Sequence, residues 1–537
     1  MQTEAHRIDV ERGPAARRGA LTIGRLTLIV LALGLLARLV RYALNFPLWG
    51  DEAFLAVNFH LRDFAGMFDP LAYGQIAPPG YLWATLALSK LFGTAEWALR
   101  LTAVAGGVLG LLVFARFVSR RFSAPIALTA VAFLAASYYP IRHGAEVKPY
   151  ATDLLIGLLL TCAGQAVFER PRSAARWSLL IVLGGLSVWC SYTAVFVAGG
   201  VGLFLTWMII VGRVRTPGVV AGWALYGIVV CGSFAAMYHY FAGPHAAAVP
   251  ELSQIDMWRR TFPPANPLKL LLWLVTTHTG NMLAYPFGGR NGGSTATTIL
   301  AVIGCVYLWR SRREWLVLLL APLVLNFIAA VFHKYPYGGT ARISLYMAPA
   351  FCLLAGIGLF VLLRRLVAKP KRMRSVRIAA GVLAAITIGG IVSDVAKPYK
   401  KRLDRDRRRI IAELAQAVSP NDRVLVFNAD REVSYAPYLF GWKGDGAQFV
   451  FYLHHDLPVA PIFAPPPDEA APNGDGKTWL LVYHGYKYRE YFSGRQLEAY
   501  LGALSKRLGP ARRESFVVQR QSGVDVQIID RYEFADG

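Results

Sequence analysis

Acidic residues are scarce in this 537-residue chain: 33 Asp and Glu stand against 57 Lys and Arg, a formal net charge of +24. Charge of either sign is thin, at 17% of residues against 55% hydrophobic, and the mean hydropathy is +0.39. One soluble core cannot absorb so much apolar sequence, which excludes an ordinary globular protein and implies a polytopic membrane protein. The basic surplus then has a membrane explanation before a nucleic-acid one, and no nucleic-acid partner is expected. Cysteine is rare too. Cys162, Cys190, Cys231, Cys305 and Cys352 fall within or at the ends of apolar runs, and residues 396–537 have none, which argues against disulfides and thiolate metal sites. Clear internal repeats are missing, as is the H-E-x-x-H metal spacing.

What is present is a series of long apolar runs. We read spans at residues 26–46, 98–118, 124–140, 151–168, 177–191, 194–211, 218–239, 295–309, 315–332, 343–363 and 378–395, eleven in all. Residues 1–25 are basic and polar, and the run behind them is too long for a signal peptide and lacks a small-residue cleavage site, so it reads as a retained span. With a cytoplasmic N-terminus, the short inner segments hold 23 Lys and Arg. The outer loops, with the first counted through Arg100, hold eleven over about twice the length, the bias the positive-inside rule requires. An odd number of spans sends residues 396–537 outside. The expected fold is therefore mainly α: a basic N-terminus (1–25), a transmembrane domain (26–395) and a soluble extracytoplasmic α/β domain (396–537). The expected location is the plasma membrane, the inner one in a Gram-negative cell, where that domain would be periplasmic.

On this topology four polar loops, 47–97, 140–150, 240–294 and 333–342, share the outer side. The first opens with "PLWGDEAF", placing Asp51 and Glu52 just after the first span, and continues into "IAPPGYLWATLALSKLFG". That apolar run is short for a span and reads as one or two helices along the membrane surface. The second, within "YYPIRHGAEVKPYATD", crowds Arg142, His143, Glu146, Lys148 and Tyr150. The third is long and aromatic, with Trp258, His278, Asn281 and Arg290. The fourth, within "HKYPYGGTAR", carries Lys334, Tyr337 and Arg342.

Two acids after the first span, an "APP" surface helix, an E-x-K-P-Y segment before the fourth span and a late "YPYGGTAR" loop together resemble the GT-C glycosyltransferase superfamily. The protein O-mannosyltransferase-like and lipid A aminoarabinose transferase-like branches look nearest. The resemblance covers roughly residues 20–395 and rests on the order of the features along the chain.

It implies transfer of a sugar from a polyprenyl-phosphate donor to a protein, lipid or glycan acceptor at the outer membrane face. The residues suit that chemistry. An acceptor hydroxyl loses its proton as it attacks the anomeric carbon, and Asp51, with Glu52 beside it, is the candidate general base. A single displacement inverts the anomeric centre and sends off a lipid phosphate carrying negative charge, which cations and hydroxyl donors stabilise. Arg342, Lys148, Lys334 and His143 are the cationic candidates, with Tyr337 and Tyr150 as hydroxyl donors. Arg342 leads because its fork can grip two oxygens and Gly338 and Gly339 let the backbone come close. Glu52 could also share a proton with Asp51, and Asp51, Glu52, His60, His143 and Glu146 could supply ligands to a divalent cation, a cofactor the sequence leaves open.

Each residue has a plainer role to set against this. Asp51 could cap a helix. Arg342 and Lys148 could be interfacial cations that snorkel, Glu146 could brace its loop through Lys148 or Arg142, and for His143 the structural role weighs more. Two departures from the family pattern matter. The aminoarabinose branch commonly has a lysine before the Pro-Pro pair where this chain has Ala77, so that branch's sugar and acceptor are not carried over. Lys148 stands where many relatives have arginine, with less capacity for bidentate recognition. A transporter or flippase is the main rival class, but it would place ionisable residues at mid-bilayer, whereas the charges here gather at the ends of spans. Within the enzyme class the nearest alternative is an oligosaccharide ligase or polymerase.

After residue 396 the pattern changes. "LDRDRRRIIAELAQAVSP" (403–420) reads as an amphipathic helix and "DRVLVFNA" (422–429) as a buried strand. "TWLLVYH" (478–484), a helix over 496–509 and two strands, "ESFVVQRQ" and "VDVQIIDRYEF", complete a small sheet with helices packed on it. Residues 464–476 read as an exposed loop. No phosphate loop, dinucleotide fingerprint or catalytic triad appears in this part.

Overall fold

The computed structural model describes residues 14–212, 214–248, 256–286, 292–399, 402–428, 444–463, 476–484, 494–521 and 524–534. The expected loop at 464–476 and Arg290 fall outside them, except for Gly476. Helices dominate. The first half holds α1 (Pro14–Ala43), α2 (Gly50–Ala56), α3 (Asn58–Leu61), α4 (Pro79–Phe92), α5 (Glu96–Arg121), α6 (Ala124–Ala136), α7 (Tyr138–His143), α8 (Tyr150–Glu169), α9 (Ala174–Cys190), α10 (Ala194–Ile210) and α11 (Pro217–Met237). Then come α12 (Pro267–Thr279), α13 (Gly293–Ser311), α14 (Arg313–Val331), α15 (Ala348–Leu366) and α16 (Lys369–Ala396). The last part holds α17 (Arg402–Gln416), α18 (Gly444–Asp456) and α19 (Gly494–Leu508). Two compact units result. The first comprises the described residues up to Leu44 together with Ala77–Thr85 and Arg100–Ala396; the second comprises Asn45–Ile76, Leu86–Leu99 and the described residues from Lys397 onward.

Seven helices of the described residues are long and apolar enough to cross a membrane: Thr22–Ala43, Glu96–Arg121, Tyr150–Glu169, Pro217–Ala247, Arg313–Val331, Leu345–Leu366 and Lys369–Ala396. The chain is a multi-pass membrane protein. Each of the eleven expected spans coincides with a helix, but α6, α9 and α10 are short apolar ones, and α13, which opens on the polar run "GSTATT", is not among the seven. The expected span 124–140 stops at Ala136, because Ser137 leaves the helical region at φ −72°, ψ 120°. The span expected at 218–239 runs on instead, through a π-helical turn at Tyr238–Ala242, as far as Ala247.

In the first unit α6 is the innermost element. Pro125 sits in its first turn, where the missing N–H costs nothing, and every residue from Ile126 to Ala136 is buried. A helix apolar all round must be enclosed by others, and α1, α15 and α16 pack against it. Small residues allow the approach: a Cβ added at Gly356 of α15 would lie 2.7 Å from the Ala130 backbone, and Thr129 Oγ1 donates to the Gly356 carbonyl at 2.9 Å. The α13–α15 pair is closer still, since a Cβ at Gly358 would sit 1.8 Å from the Leu300 carbonyl oxygen. Gly358→Val should therefore destabilise the helical unit by about 1–3 kcal/mol or more, measured as a lower midpoint of thermal unfolding in detergent; an unchanged midpoint would show that α13 and α15 separate freely. Arg41 of α1 also pairs with Asp394 of α16 at 2.7 Å.

The second unit contains a five-stranded sheet built from β1 (Arg423–Asn428), β2 (Ile462–Phe463), β3 (Thr478–His484), β4 (Ala511–Gln521) and β5 (Val524–Phe534), in the order β2-β1-β3-β5-β4. β1 runs parallel to β2 and β3, while β5 is antiparallel to β3 and β4. Period-two alternation puts Leu425, Phe427, Leu480, Val482, Tyr532 and Phe534 on one face, where Leu497, Leu504 and Leu508 of α19 cover them. Two elements went unread in the sequence, the short β2 and the helix α18. α17 turns Asp404, Arg407, Ile410, Ile411 and Leu414 inward at helical spacing and packs on α18.

Candidate functional site

Asp51 and Glu52 lie on α2, in the second unit. The helix starts after Trp49, whose carbonyl accepts from Glu52 N and Ala53 N at 2.9 and 3.0 Å. Glu52 Oε2 reaches back to accept from the Trp49 N–H at 3.3 Å. Glu52 is buried, while Asp51, at the second helical position, is half-buried. The carboxylate that secures the helix start is thus Glu52; the capping role considered for Asp51 passes to its neighbour. α2 and α3 lie beside α18, with the His60 ring edge-on to Phe451 at 4.9 Å and facing His454 and His455 at 5.9 and 6.2 Å.

Burial, reinforced by His454, His455 and Lys90, pushes the His60 imidazole down to about 3. An unfolded chain takes up a proton on this residue near pH 6.5, whereas the folded one does so only near 3. The unfolded state therefore binds more protons below 6.5, and stability that is complete above that pH is lost as the pH falls towards 3. His60→Phe, which keeps the aromatic contact with Phe451, should flatten this acid limb in thermal unfolding followed from pH 7 to pH 4. An unaltered limb would assign acid sensitivity to other groups.

The remaining candidates lie in the first unit, in two groups. Around the 138–150 segment, Glu146 takes Arg142 Nε on one oxygen at 2.8 Å and His143 Nδ1 on the other at 2.6 Å. Burial alone would raise the Glu146 carboxyl, but His143 and Arg142 outweigh it and hold the group well below the usual carboxylate range. His143 is buried between Tyr139, stacked at 5.8 Å, and Tyr150, edge-on at 5.3 Å. The pairing of Glu146 with Arg142 is present, and His143 joins it in the brace. Lys148 follows with its side chain buried.

The second group joins the 256–282 region to the 333–342 loop. Gly338 and Gly339 adopt φ of 72° and 75°, which side-chain-bearing residues rarely take. A Cβ at either would fall 2.4 Å from Thr277 Cγ2 or 2.3 Å from Thr261 Cγ2. The glycines thus let the loop fold onto Thr261 and α12, where Tyr337 N donates to the Thr261 carbonyl at 3.0 Å and Asn281 Nδ2 to the Gly339 carbonyl at 3.2 Å. Tyr337 is buried against Phe327 and Trp273 and meets His278 Nε2 at 3.0 Å. His278 Nδ1 lies 2.7 Å from the Leu274 carbonyl and donates to it, so Nε2 is the acceptor and the Tyr337 hydroxyl proton points at it. Burial raises the Tyr337 hydroxyl and lowers His278, which keeps both neutral. The Arg342 guanidinium stacks 5.4 Å over the Trp258 ring, and Lys334 is exposed. Trp258, Thr261, His278 and Asn281 thus support the loop. Their aromatic and polar types were visible in the sequence, but nothing in it paired them with a loop some 60 residues away. Among the described residues, no group of three or more His, Cys, Asp or Glu side chains is placed to hold a metal ion.

The fold is shared with solved structures to which the chain is only 13–15% identical. Residues 77–237 match the family model for dolichyl-phosphate-mannose-protein mannosyltransferase. The crystal structure of ArnT from Cupriavidus metallidurans bound to undecaprenyl phosphate is similar over 94% of this chain and 97% of that one, with 15% identity and a TM-score of 0.55. Its apo form aligns over 96% and 98% at 13% identity and a TM-score of 0.53. The apo oligosaccharyltransferase of Archaeoglobus fulgidus aligns over 91% of this chain and 69% of its own, at 14% identity and a TM-score of 0.50. Sequence comparison with curated proteins finds no match.

Proposed function

We propose that this protein transfers a sugar from a polyprenyl-phosphate donor to an acceptor at the outer face of the plasma membrane, with inversion at the anomeric carbon. The observation that carries the reading is the near end-to-end likeness to ArnT, a protein of similar length whose structure holds undecaprenyl phosphate. The match of residues 77–237 to a mannosyltransferase family supports it independently. In this reading the acceptor oxygen attacks the anomeric carbon and its proton passes to Asp51. The bond from that carbon to the phosphate oxygen breaks, and its electron pair leaves with the lipid phosphate. Arg342 and Lys148 meet the growing negative charge, with Lys334 as a further cation near the bilayer surface. Tyr337 acts chiefly by holding the Arg342 loop, and His143 and Glu146 by bracing the segment that leads to Lys148 and Tyr150. Residues 396–537 lie outside the cell membrane.

The test is reconstitution. The full chain in proteoliposomes should release polyprenyl phosphate from one member of a panel of polyprenyl-phosphate monosaccharides as product forms, and NMR of the product should show the opposite anomeric configuration to the donor. Retention would remove the single displacement. Failure with every monosaccharide donor, together with turnover of a lipid-linked oligosaccharide, would favour the ligase or polymerase reading.

A further inference from the structure

Leu48 stands three residues ahead of Asp51, and α18 holds its backbone from both sides. The Leu48 N–H donates to the Tyr452 hydroxyl at 2.8 Å, and the Leu48 carbonyl accepts from Gln448 Nε2. Leu48, Gln448 and Tyr452 are each 0% exposed. Neither side chain is loose. Gln448 also donates to Asp404 Oδ1 at 2.9 Å and accepts from Arg407 Nη1 at 2.5 Å. The Tyr452 hydroxyl donates to Glu96 Oε1 at 3.2 Å, and Arg408 holds that oxygen at 2.9 Å and stacks on the Tyr452 ring at 5.8 Å. The network thus joins four stretches that are remote in sequence, and both of its branches end on the peptide units of a single residue. The adjoining carbonyl, that of Trp49, starts α2.

Burying that much polar surface to fasten one apolar residue is a poor route to stability, since a hydrophobic contact of the same volume would serve as well. It is a good route to a fixed backbone position. A reacting carboxylate displaced by about 1 Å can cost about 10²-fold in rate. We infer that Gln448 and Tyr452 are positioning residues for Asp51: the C-terminal domain acts in the reaction as a clamp on the Leu48 peptide, which sets where α2 begins and so where its carboxylate lies. The inference rests on the transferase reading above, and it gives that domain a part in turnover without contact with either substrate.

Tyr452→Phe tests it, because the ring and its packing stay while the Leu48 N–H loses the hydroxyl it donates to and Glu96 keeps Arg408. The expected result is a 10- to 10²-fold lower kcat with donor KM within about twofold, and faster amide exchange across residues 48–53. In an Asp51→Asn background the same change should cost nothing further, since the group being positioned is gone. Gln448→Met removes the other half of the clamp and should give the same signature if the tyrosine variant folds poorly. Wild-type kcat in Tyr452→Phe, a loss confined to KM, or a loss that multiplies with that of Asp51→Asn would overturn the inference, the last because the two residues would then act independently. Should the wild type transfer from no donor, the positioning role falls with the transferase reading, and the exchange measurement separates that failure from failure of the clamp.

Discussion

Asp51→Asn lowers sugar transfer by about 10²- to 10⁴-fold and leaves donor binding intact: that is the result expected if the Asp51 carboxylate takes the acceptor's proton. The substitution changes almost no volume, and other groups start the helix that carries the residue. The hydrogen bonds that start α2 run through the Trp49 carbonyl and the Glu52 carboxylate, so the helix does not depend on Asp51 as its cap. Glu52→Gln serves as the contrast. It weakens the acceptor for the Trp49 N–H in a buried setting, and its effect should appear in thermal stability as well as in rate. Equal binding of a radiolabelled donor by wild type and Asp51→Asn, with transfer lost, would assign the residue to the chemical step. Undiminished transfer would remove it from the mechanism and leave Glu52 as the acid to examine.

Arg342→Ala should lower kcat/KM by about 10²-fold, the scale on which preorganised charge acts on a developing anion. Both parameters should move. The donor phosphate already carries charge when it binds, which affects KM, and gains more as the sugar departs, which affects kcat. Arg342→Lys should recover only part of the loss, since an ammonium restores the charge without the two-pronged geometry. Gly338 and Gly339, with the Tyr337 and Asn281 hydrogen bonds, hold the loop by its backbone, so removing the guanidinium leaves the loop in place. Unchanged kinetics in Arg342→Ala would make this residue an interfacial cation resting on Trp258.

The helices were legible wherever an apolar run sat between charged or proline-bearing segments, because the cost of burying backbone in lipid leaves few alternatives. Their lengths were less legible. Nothing in the composition of residues 124–140 announces that Ser137 turns out of the helix. After residue 396 the strands at 478–484 and 524–534 fall where alternation placed them. α18 escaped because its sequence, "GDGAQFVFYLHHD", holds a run of aromatic and β-branched residues that suits a strand as well as a helix. Its helical state is decided by what surrounds it, with α2 and α17 packed against it. The candidate residues were legible by type and order; their partners were not. The pairing of Glu146 with Arg142 is local and was one of two the sequence offered, without the His143 contact, whereas the seating of Gly338 and Gly339 on Thr277 and Thr261 depends on tertiary approach that no local pattern encodes.

The shortness of α6 bears on how the protein comes to exist. Thirteen residues at about 1.5 Å each reach roughly 20 Å, about a third short of the hydrocarbon layer. Alone in lipid such a segment would leave its ends immersed or pinch the bilayer around it. Its remedy is company, yet two of the helices that enclose it, α15 and α16, are synthesised more than two hundred residues later. Those two packing partners are therefore absent while the N-terminal half is being made. The final seat of α6 is completed only as the last spans emerge, which makes biogenesis of this chain a closing step and not a sequence of independent insertions.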